Sequence, residues 1–423
     1  MQSITFTISM GANNLEYTKL LLHSLKTNLD NKTHQIIVFI DADNENSLDY
    51  LVEQQKEFHD LCIINNTLSM PIGYQRNKTL LTEYAKHDIV SHLHSDMVIG
   101  PHYDTDILKH MKRGRFLSAM RVEPPLHGES NVTITKNFGL HPDEFDMEAW
   151  NKFSNSVKRE ELVEYFFAPY TYYKDDWMML DGDDTAFRRA REDSDLVQRC
   201  VHAGIELLYT FSANVYHFTC VSSRGNNWFD PNNTEAQKRV NLQKVADSIE
   251  MRKFIRKWGN FNHGETKLFK LDIDLVIKNY NLQTVYNLEP FFTTVWVDSQ
   301  EHKNNLLEQY NKEHLVANEL LRVTDEDWEN YKHLFRVDNF EEIFKVGTPT
   351  EYNIKVIIDF NKISNTNTFI SNLQNLYDML IDSDVGEYEL DGVMISIKNI
   401  KVLPTEITAV NPKFNHDLLT VYN

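Results

Sequence analysis

The sequence predicts an α/β protein: a mostly parallel sheet over its first half, then a helical region and a small α+β unit at the C-terminus. Three observations predict this. Over the first hundred residues, short β-rich runs alternate with helical patterns, as in βαβ units. Beyond Ser223 the strand signal fades, and helical spacing of apolar residues dominates 234–258 and 300–335. From Ile354 onward the order becomes strand, helix, strand, strand. The expected organisation is 1–223 as the α/β domain, 224–345 as a mainly helical region and 346–423 as a small α+β domain.

The individual elements follow from local pattern. Residues 4–9 (I-T-F-T-I-S) form a strand, and 15–29 carry apolar residues at helical spacing. Residues 35–40 (Q-I-I-V-F-I) read as a buried strand ending in Asp41, Ala42 and Asp43. Residues 47–58 are helical with Ser47 at the cap, 61–64 a short strand and 73–86 a helix. Residues 88–98 form a fourth strand carrying H-L-H-S-D, and 115–123 a fifth, stopped by Pro124-Pro125. The aromatic and acidic stretch 137–174 is expected as an insertion over the sheet edge. Past 258, the one strand signal before Ile354 lies at 291–297. The last segment reads as strand 354–360, helix 368–381, and strands at 388–390 and 394–402.

Composition narrows the function. The 423 residues exceed one ordinary core, and 41% hydrophobic with 25% charged residues describe a globular chain. A net charge of −19 excludes a broad nucleic-acid surface, and it means that an anionic substrate needs a bound cation or a local basic pocket. Cys62, Cys200 and Cys220 lack metal or disulfide spacing and are expected as free thiols. No signal peptide and no transmembrane run are evident, so the expected location is cytoplasmic, and sequons such as Asn131-Val132-Thr133 are compositional.

The chemistry concentrates between Asp181 and His217. The run reads D-G-D-D-T-A-F, then R-E-D-S-D-L-V-Q-R, then A-G-I-E-L-L-Y, and closes on V-Y-H. A carboxylate at a helix N-terminus is favoured as the anion by the open N–H groups and the helix dipole, which suits a general base. Glu192-Asp193 holds that position, with Arg199 further along the helix and His217 at the end of the next strand. An ordinary acidic helix start is the plainer alternative, but the surrounding residues favour a site. His94-Ser95-Asp96 ends a strand with an imidazole and a carboxylate, a pair that suits Mg²⁺ or Mn²⁺. At the parallel-sheet edge Asp41 and Asp43 could accept from base or ribose hydroxyls, with an Asx turn as their plainer reading. Arg76 and Asn77 open a helix after Gly73 and could meet a nucleotide or pyrophosphate. Trp177 and Trp228 stand near the acidic segments as stacking candidates, whereas the aromatic helices beyond Thr234 read as core.

On these residues, positions 1 to about 220 resemble the family 2 glycosyltransferases of the GT-A fold. The resemblance implies that Asp41 and Asp43 touch a nucleotide. It aligns His94-Ser95-Asp96 with the family's D-x-D motif, His94 replacing the first Asp, so that Asp96 and His94 are metal ligands, Ser95 lies at the nucleotide, and His217 joins the metal. It aligns Asp181, Gly182, Asp183 and Asp184 with the acceptor-side G-G-x-D turn, and E-D-S-D-L-V-Q-R with the E-D-x-D-L-x-x-R helix. Asp193 is then the catalytic base, and Gly182, Asp183, Asp184, Glu192 and Arg199 face the acceptor, with Trp177 beside them as an acceptor-stacking candidate by its position. The implied reaction is inverting transfer of a sugar from a nucleoside-diphosphate sugar, with UDP-sugar as the family-weighted donor and Mn²⁺ or Mg²⁺ as cofactor, to a glycan or other hydroxyl acceptor.

Two other readings stay open on the sequence. A degenerate transferase domain could act as a non-catalytic binding or assembly module, which the His at position 94 keeps alive. His92-x-His94-x-Asp96 also resembles the H-x-H-x-D-H motif of metallo-β-lactamase-like hydrolases, with Met97 in place of the last His. Nothing in residues 224–423 decides between oligomerisation and acceptor docking.

Overall fold

The computed structural model describes residues 2–41, 45–127, 131–219, 221, 227–261, 266–363, 375–390 and 392–423. The first strands and helices alternate as the pattern requires: β1 (Ile4–Met10), α1 (Leu15–Asn28), β2 (Gln35–Ile40), α2 (Ser47–Gln54), β3 (Leu61–Asn66), α3 (Tyr74–Glu83) and β4 (Ile89–His94). β3, β2, β1 and β4 pair in parallel in that order. All six residues of β2 are buried, because helices cover both faces of a parallel sheet. The fold is mixed α/β with a large, mostly parallel central sheet, helices around it and a second, smaller sheet.

The expected fourth strand breaks at Ser95-Asp96. A turn there ends β4, and β5 (Met97–Ile99) leaves on a different course. After α4 (Tyr103–Leu108) come β6 (Arg115–Glu123), β7 (Thr133–Thr135), α5 (Met147–Val157), β8 (Leu162–Glu164), β9 (Tyr170–Tyr173), α6 (Lys174–Met179), α7 (Glu192–Ala203) and β10 (Glu206–His217). The 137–174 stretch was expected over the sheet edge, yet β9 enters the sheet between β4 and β6, antiparallel to both. Three residues of β9 are buried, Tyr170, Thr171 and Tyr172, so its aromatic content is core material. β10 lies parallel to β6 and antiparallel to β5.

The second half holds a six-stranded sheet. After the 25-residue α8 (Thr234–Trp258) come β11 (Ile273–Lys278), β12 (Thr294–Val297), β13 (Phe344–Val346), β14 (Ile354–Asp359), β15 (Gly386–Leu390) and β16 (Val393–Ile397), in the spatial order β13-β12-β11-β14-β16-β15. Its strands come from both 224–345 and 346–423, which the sequence had divided into a helical region and a separate unit. β11 (I-D-L-V-I-K) escaped the pattern because a single short apolar run is ambiguous between buried strand and helix. The expected helix at 368–381 is described as Leu376–Ile381, its first part falling outside the described residues.

The chain then returns to its beginning. β17 (Leu419–Tyr422) pairs antiparallel with β3 and forms the outer strand of the 11-stranded sheet. No described helix is long and apolar enough to cross a membrane. Cys62 and Cys200 are buried free thiols, and Cys220 lies outside the described residues.

Candidate active site

The β4–β5 turn and the end of β10 build the centre of the site. The antiparallel register sets His217 opposite Met97, and the Phe218 N–H donates to the Asp96 carbonyl at 3.0 Å. The imidazole of His217 thereby meets the carboxylate of Asp96, with Nε2 3.5 Å from Oδ1. One ligand atom from each of His94, Asp96 and His217 lies within 4.8 Å of the other two, which fits a divalent cation of borderline softness. Behind them Glu123, at the end of β6, holds His217 Nδ1 at 2.8 Å and so aims Nε2 at Asp96.

The electrostatics of the three groups differ. Burial, then the neighbouring His217, pushes His94 down to about 3, so its ring is neutral. Burial opposes the charge on His217, but Asp96 and Glu123 outweigh it and raise His217 to about 9. Burial is likewise outweighed at Asp96, where His217 holds the carboxyl below its usual range. His92 stands apart from the cluster. Its Nδ1 lies 3.1 Å from Thr7 Oγ1 and its Nε2 2.7 Å from the Tyr74 hydroxyl, which engages both ring nitrogens inside the sheet. That arrangement removes the His92/His94/Asp96 set required by the hydrolase resemblance.

Two cavities open over this sheet edge. One, of about 570 Å³, is lined by His94, Ser95, Asp96, Glu123, Glu192, Asp193 and His217. The other, of about 950 Å³, is lined by Ser9, Gly11, Asp41, Asn66, Gly73 and Asn77 on the sheet side. Ser9, Tyr74, Arg188 and Arg189 border both. Arg188 and Arg189 belong to the R-R-A-R run before α7, and Arg239 from α8 and Arg322 extend the basic wall of the larger cavity. Arg188 itself is buried, its Nη1 donating to Asn318 Oδ1 at 2.8 Å and its guanidinium lying over Trp328 and Phe335, so the basic character of the wall comes from Arg189, Arg239 and Arg322. The sequence signal for it is R-R-A-R directly before E-D.

The E-D pair opens α7 toward the smaller cavity. Glu192 is pushed up to about 8 by burial and by the charge of Asp193 beside it, so it carries a proton at neutral pH. Asp193 faces the buried ammonium of Lys78, whose Nζ lies 3.9 Å from Oδ1. Burial would strip the Lys78 charge, but Asp183 and then Asp193 outweigh it. Lys78 is ion-paired with Asp183 and donates to the Tyr170 hydroxyl at 2.8 Å. Its Nζ also stands 4.4 Å from the Tyr74 ring centroid. Lys78, Tyr74 and Glu123 gave no motif signal: Tyr74 and Lys78 reach the site from α3 and Glu123 from the end of β6.

Several expected site residues prove to be framework. The Asp41 carboxylate accepts from Asn66 Nδ2, the Ile72 N–H, the Gly73 N–H and Asn77 Nδ2 at 2.9–3.0 Å. Those donors account for the lone pairs of a carboxylate, so Asp41 shapes the floor of the larger cavity. Asp43 lies outside the described residues. Asn77 lines the larger cavity, and its buried Oδ1 has no hydrogen-bond partner among the described residues. Arg76 turns away, donating to the Leu334 carbonyl at 2.6 Å and lying over Phe414. Ser95 lines the smaller cavity, and Asn14 Nδ2 donates to its Oγ at 3.1 Å.

The acceptor-side set divides in the same way. Trp177 is buried in a stack with Tyr172, at 4.6 Å, and Phe116, so it offers no stacking face. Arg199 is fully buried, donating to Asp195 Oδ2 at 2.8 Å and to the carbonyls of Leu180 and Gly182 at 2.9 and 2.6 Å. It anchors the D-G-D-D turn and lines neither cavity. Gly182 sits at φ +68°, where a Cβ would fall 2.1 Å from Thr79 Oγ1. Asp183 is buried against Lys78, and Asp184 against Lys257 and Arg336 at 2.7 and 3.0 Å. Trp228 stacks on His127 with ring centroids 5.4 Å apart, at the rim of the smaller cavity.

Comparison with known proteins adds fold-level likeness. No protein-family model matches the chain, and no curated protein matches it. Among solved structures it is similar to S. aureus TarS 1–349, at 14% identity and a TM-score of 0.40, over 80% of this chain and 94% of that one. The same protein in complex with UDP gives 12% identity and a TM-score of 0.38, over 81% and 95%. GalNAc-T7 with UDP, GalNAc and Mn²⁺ gives 11% identity and a TM-score of 0.38, over 51% of this chain and only 43% of that one. At these scores the likeness carries nothing about activity.

Proposed function

We propose that the chain is a glycosyltransferase that moves a sugar from a nucleoside-diphosphate sugar to an acceptor hydroxyl, with inversion. The observation that carries this reading is the meeting of two cavities at Arg188 and Arg189. One cavity holds the His94, Asp96 and His217 cluster together with Asp193, and the other ends on the polar edge of a parallel sheet. In such sheets a nucleotide occupies the crevice beyond the strand ends. Arg239 and Arg322 on the wall of the larger cavity suit the diphosphate.

His94, Asp96 and His217 would hold the cation, and Mn²⁺ accords better than Mg²⁺ with two imidazoles. When bound, the ion supplies positive charge that stabilises the diphosphate leaving group. The rest is done by the chain's own groups. Asp193, with Lys78 beside it, takes the proton of the acceptor hydroxyl. As that proton leaves, the acceptor oxygen bonds to the anomeric carbon. The bond from that carbon to the diphosphate oxygen breaks with its electron pair, and one displacement inverts the centre. Glu192, protonated at neutral pH, is left as a hydrogen-bond donor to the acceptor.

Titration calorimetry of UDP, GDP, CDP and dTDP, each with and without Mn²⁺, tests the reading. Metal-dependent binding of one nucleotide supports it and names the donor class. Folded protein that binds none of the four leaves a non-catalytic module as the better account.

A further inference from the structure

The D-G-D-D turn is held from two sides by two side chains distant in sequence. Its backbone takes left-handed φ values at Asp181 (+56°) and Gly182 (+68°), and four of its carbonyls divide between two donors. Arg199 takes the carbonyls of Leu180 and Gly182. The carboxamide of Asn411 takes the other set: Nδ2 donates to Asp181 O at 2.9 Å and to Asp183 O at 2.8 Å, and Oδ1 accepts the Thr185 N–H at 2.9 Å. Both N–H groups and the oxygen of one amide are thus spent on one turn.

Asn411 is carried by a strap that begins after the second sheet. Residue Ala409 donates its N–H to the Leu180 carbonyl at 2.9 Å. Glu406 pairs with Arg336, which also holds Asp184, and β17 ends the strap on β3. From the turn the path to the E-D pair is short. Asp183 is ion-paired with Lys78, and the same Nζ is 3.9 Å from Asp193. Lys78 and Asp183 are excluded from water, which stiffens the link to Asp193, whereas Asn411 is half-buried and the Glu406–Arg336 pair is part-exposed.

We propose that Asn411 is a positioning residue for the transfer reaction: the C-terminal strap sets Asp183, and through Lys78 it sets the carboxylate of Asp193 against the acceptor hydroxyl. The inference rests on the transferase reading above. It gives the last twenty residues of the chain a task in the site although none of them lines the two cavities.

The test compares the wild-type chain with Asn411→Ala, Asn411→Asp, Asp183→Asn and the Asn411→Ala/Asp183→Asn pair, in steady-state transfer and in Mn²⁺-dependent nucleotide binding. Asn411→Asp keeps the size and the acceptor for Thr185 while losing both donors, so it reports on the clamp if the alanine variant folds poorly. Displacing a catalytic group by a fraction of an ångström costs on the order of 10- to 100-fold in rate. The expected result is a loss of that size in kcat for both Asn411 variants, with nucleotide Kd and donor KM within twofold of wild type. The double variant should lose no more than Asp183→Asn alone, since both changes act through one group. Multiplicative losses, or a kcat within twofold of wild type in both Asn411 variants, overturn the proposal while the transferase reading stands. A wild-type chain that neither binds a nucleotide nor transfers sugar refutes the transferase reading, and the positioning role with it.

Discussion

Arg199 offers a sharp test of what the D-G-D-D segment is for, because sequence likeness and structure assign it different work. The likeness places it toward the acceptor. In the structure its side chain is fully buried and has three partners, Asp195 and the carbonyls of Leu180 and Gly182. In Arg199→Met two losses dominate. Asp195 loses a charge-assisted bond but keeps Trp258 Nε1 at 2.9 Å and Lys257 Nζ at 2.7 Å, so its charge is not stranded. The Leu180 carbonyl keeps the Ala409 N–H, whereas the Gly182 carbonyl loses its guanidinium donor. At roughly 1.5–3 kcal/mol for each of these two bonds to a charged group, the loss is about 3–6 kcal/mol. Arg199→Lys keeps the pair with Asp195 but not the fork that reaches both carbonyls, so its cost should be about 1–3 kcal/mol. Urea unfolding of the three proteins, followed by intrinsic tryptophan fluorescence, measures this order. A methionine variant that unfolds with the wild type, yet shows a raised acceptor KM, would mean that Arg199 contacts substrate and that the anchoring argument is wrong.

Other expectations follow from the same geometry. Asp193→Asn should lower kcat by about 10²–10⁴-fold, the usual worth of a positioned base, with nucleotide binding retained; turnover within a few-fold of wild type would take Asp193 out of the reaction. Gly182→Ala should destabilise by about 1–3 kcal/mol, since the new methyl meets Thr79 at a left-handed φ, and chemical denaturation reads this directly. His217 gives the metal-free protein a pH dependence. Its folded pKa is raised to about 9, so its contribution is complete below its ordinary value near 6.5 and is lost as pH rises through 9. Chelated wild type should therefore lose up to about 3 kcal/mol across that window, and His217→Gln should show a flatter profile in the same denaturation series.

Much of the first half was legible from pattern. β1, α1, β2 and β6 fall within one or two residues of their expected places, because buried parallel strands leave unbroken apolar runs and surface helices leave spaced ones. The acidic start of α7 and the histidine closing β10 were also plain, since both lie at element ends that local signals mark. The strand break at Ser95-Asp96 was not, because a two-residue turn between two buried runs leaves no Gly or Pro to announce it.

Residue type alone did not separate the groups that line a cavity, such as Asp193 and His217, from those that hold the frame. Asp41, Arg76, Trp177 and Arg199 have the residue types of a binding site, and they spend their donors, acceptors or faces on the protein itself. Residue type fixes what a group can do, but only tertiary packing decides whether its lone pairs and N–H groups are already satisfied. The sequence by itself determined the α/β class, the order of the early elements and the concentration of acid and imidazole between Asp181 and His217. Tertiary structure alone brought Glu123 behind His217, Lys78 beside Asp193 and Asn411 onto the D-G-D-D turn. These contacts join residues far apart in the chain, and they depend on sheet order and register, which no local pattern encodes.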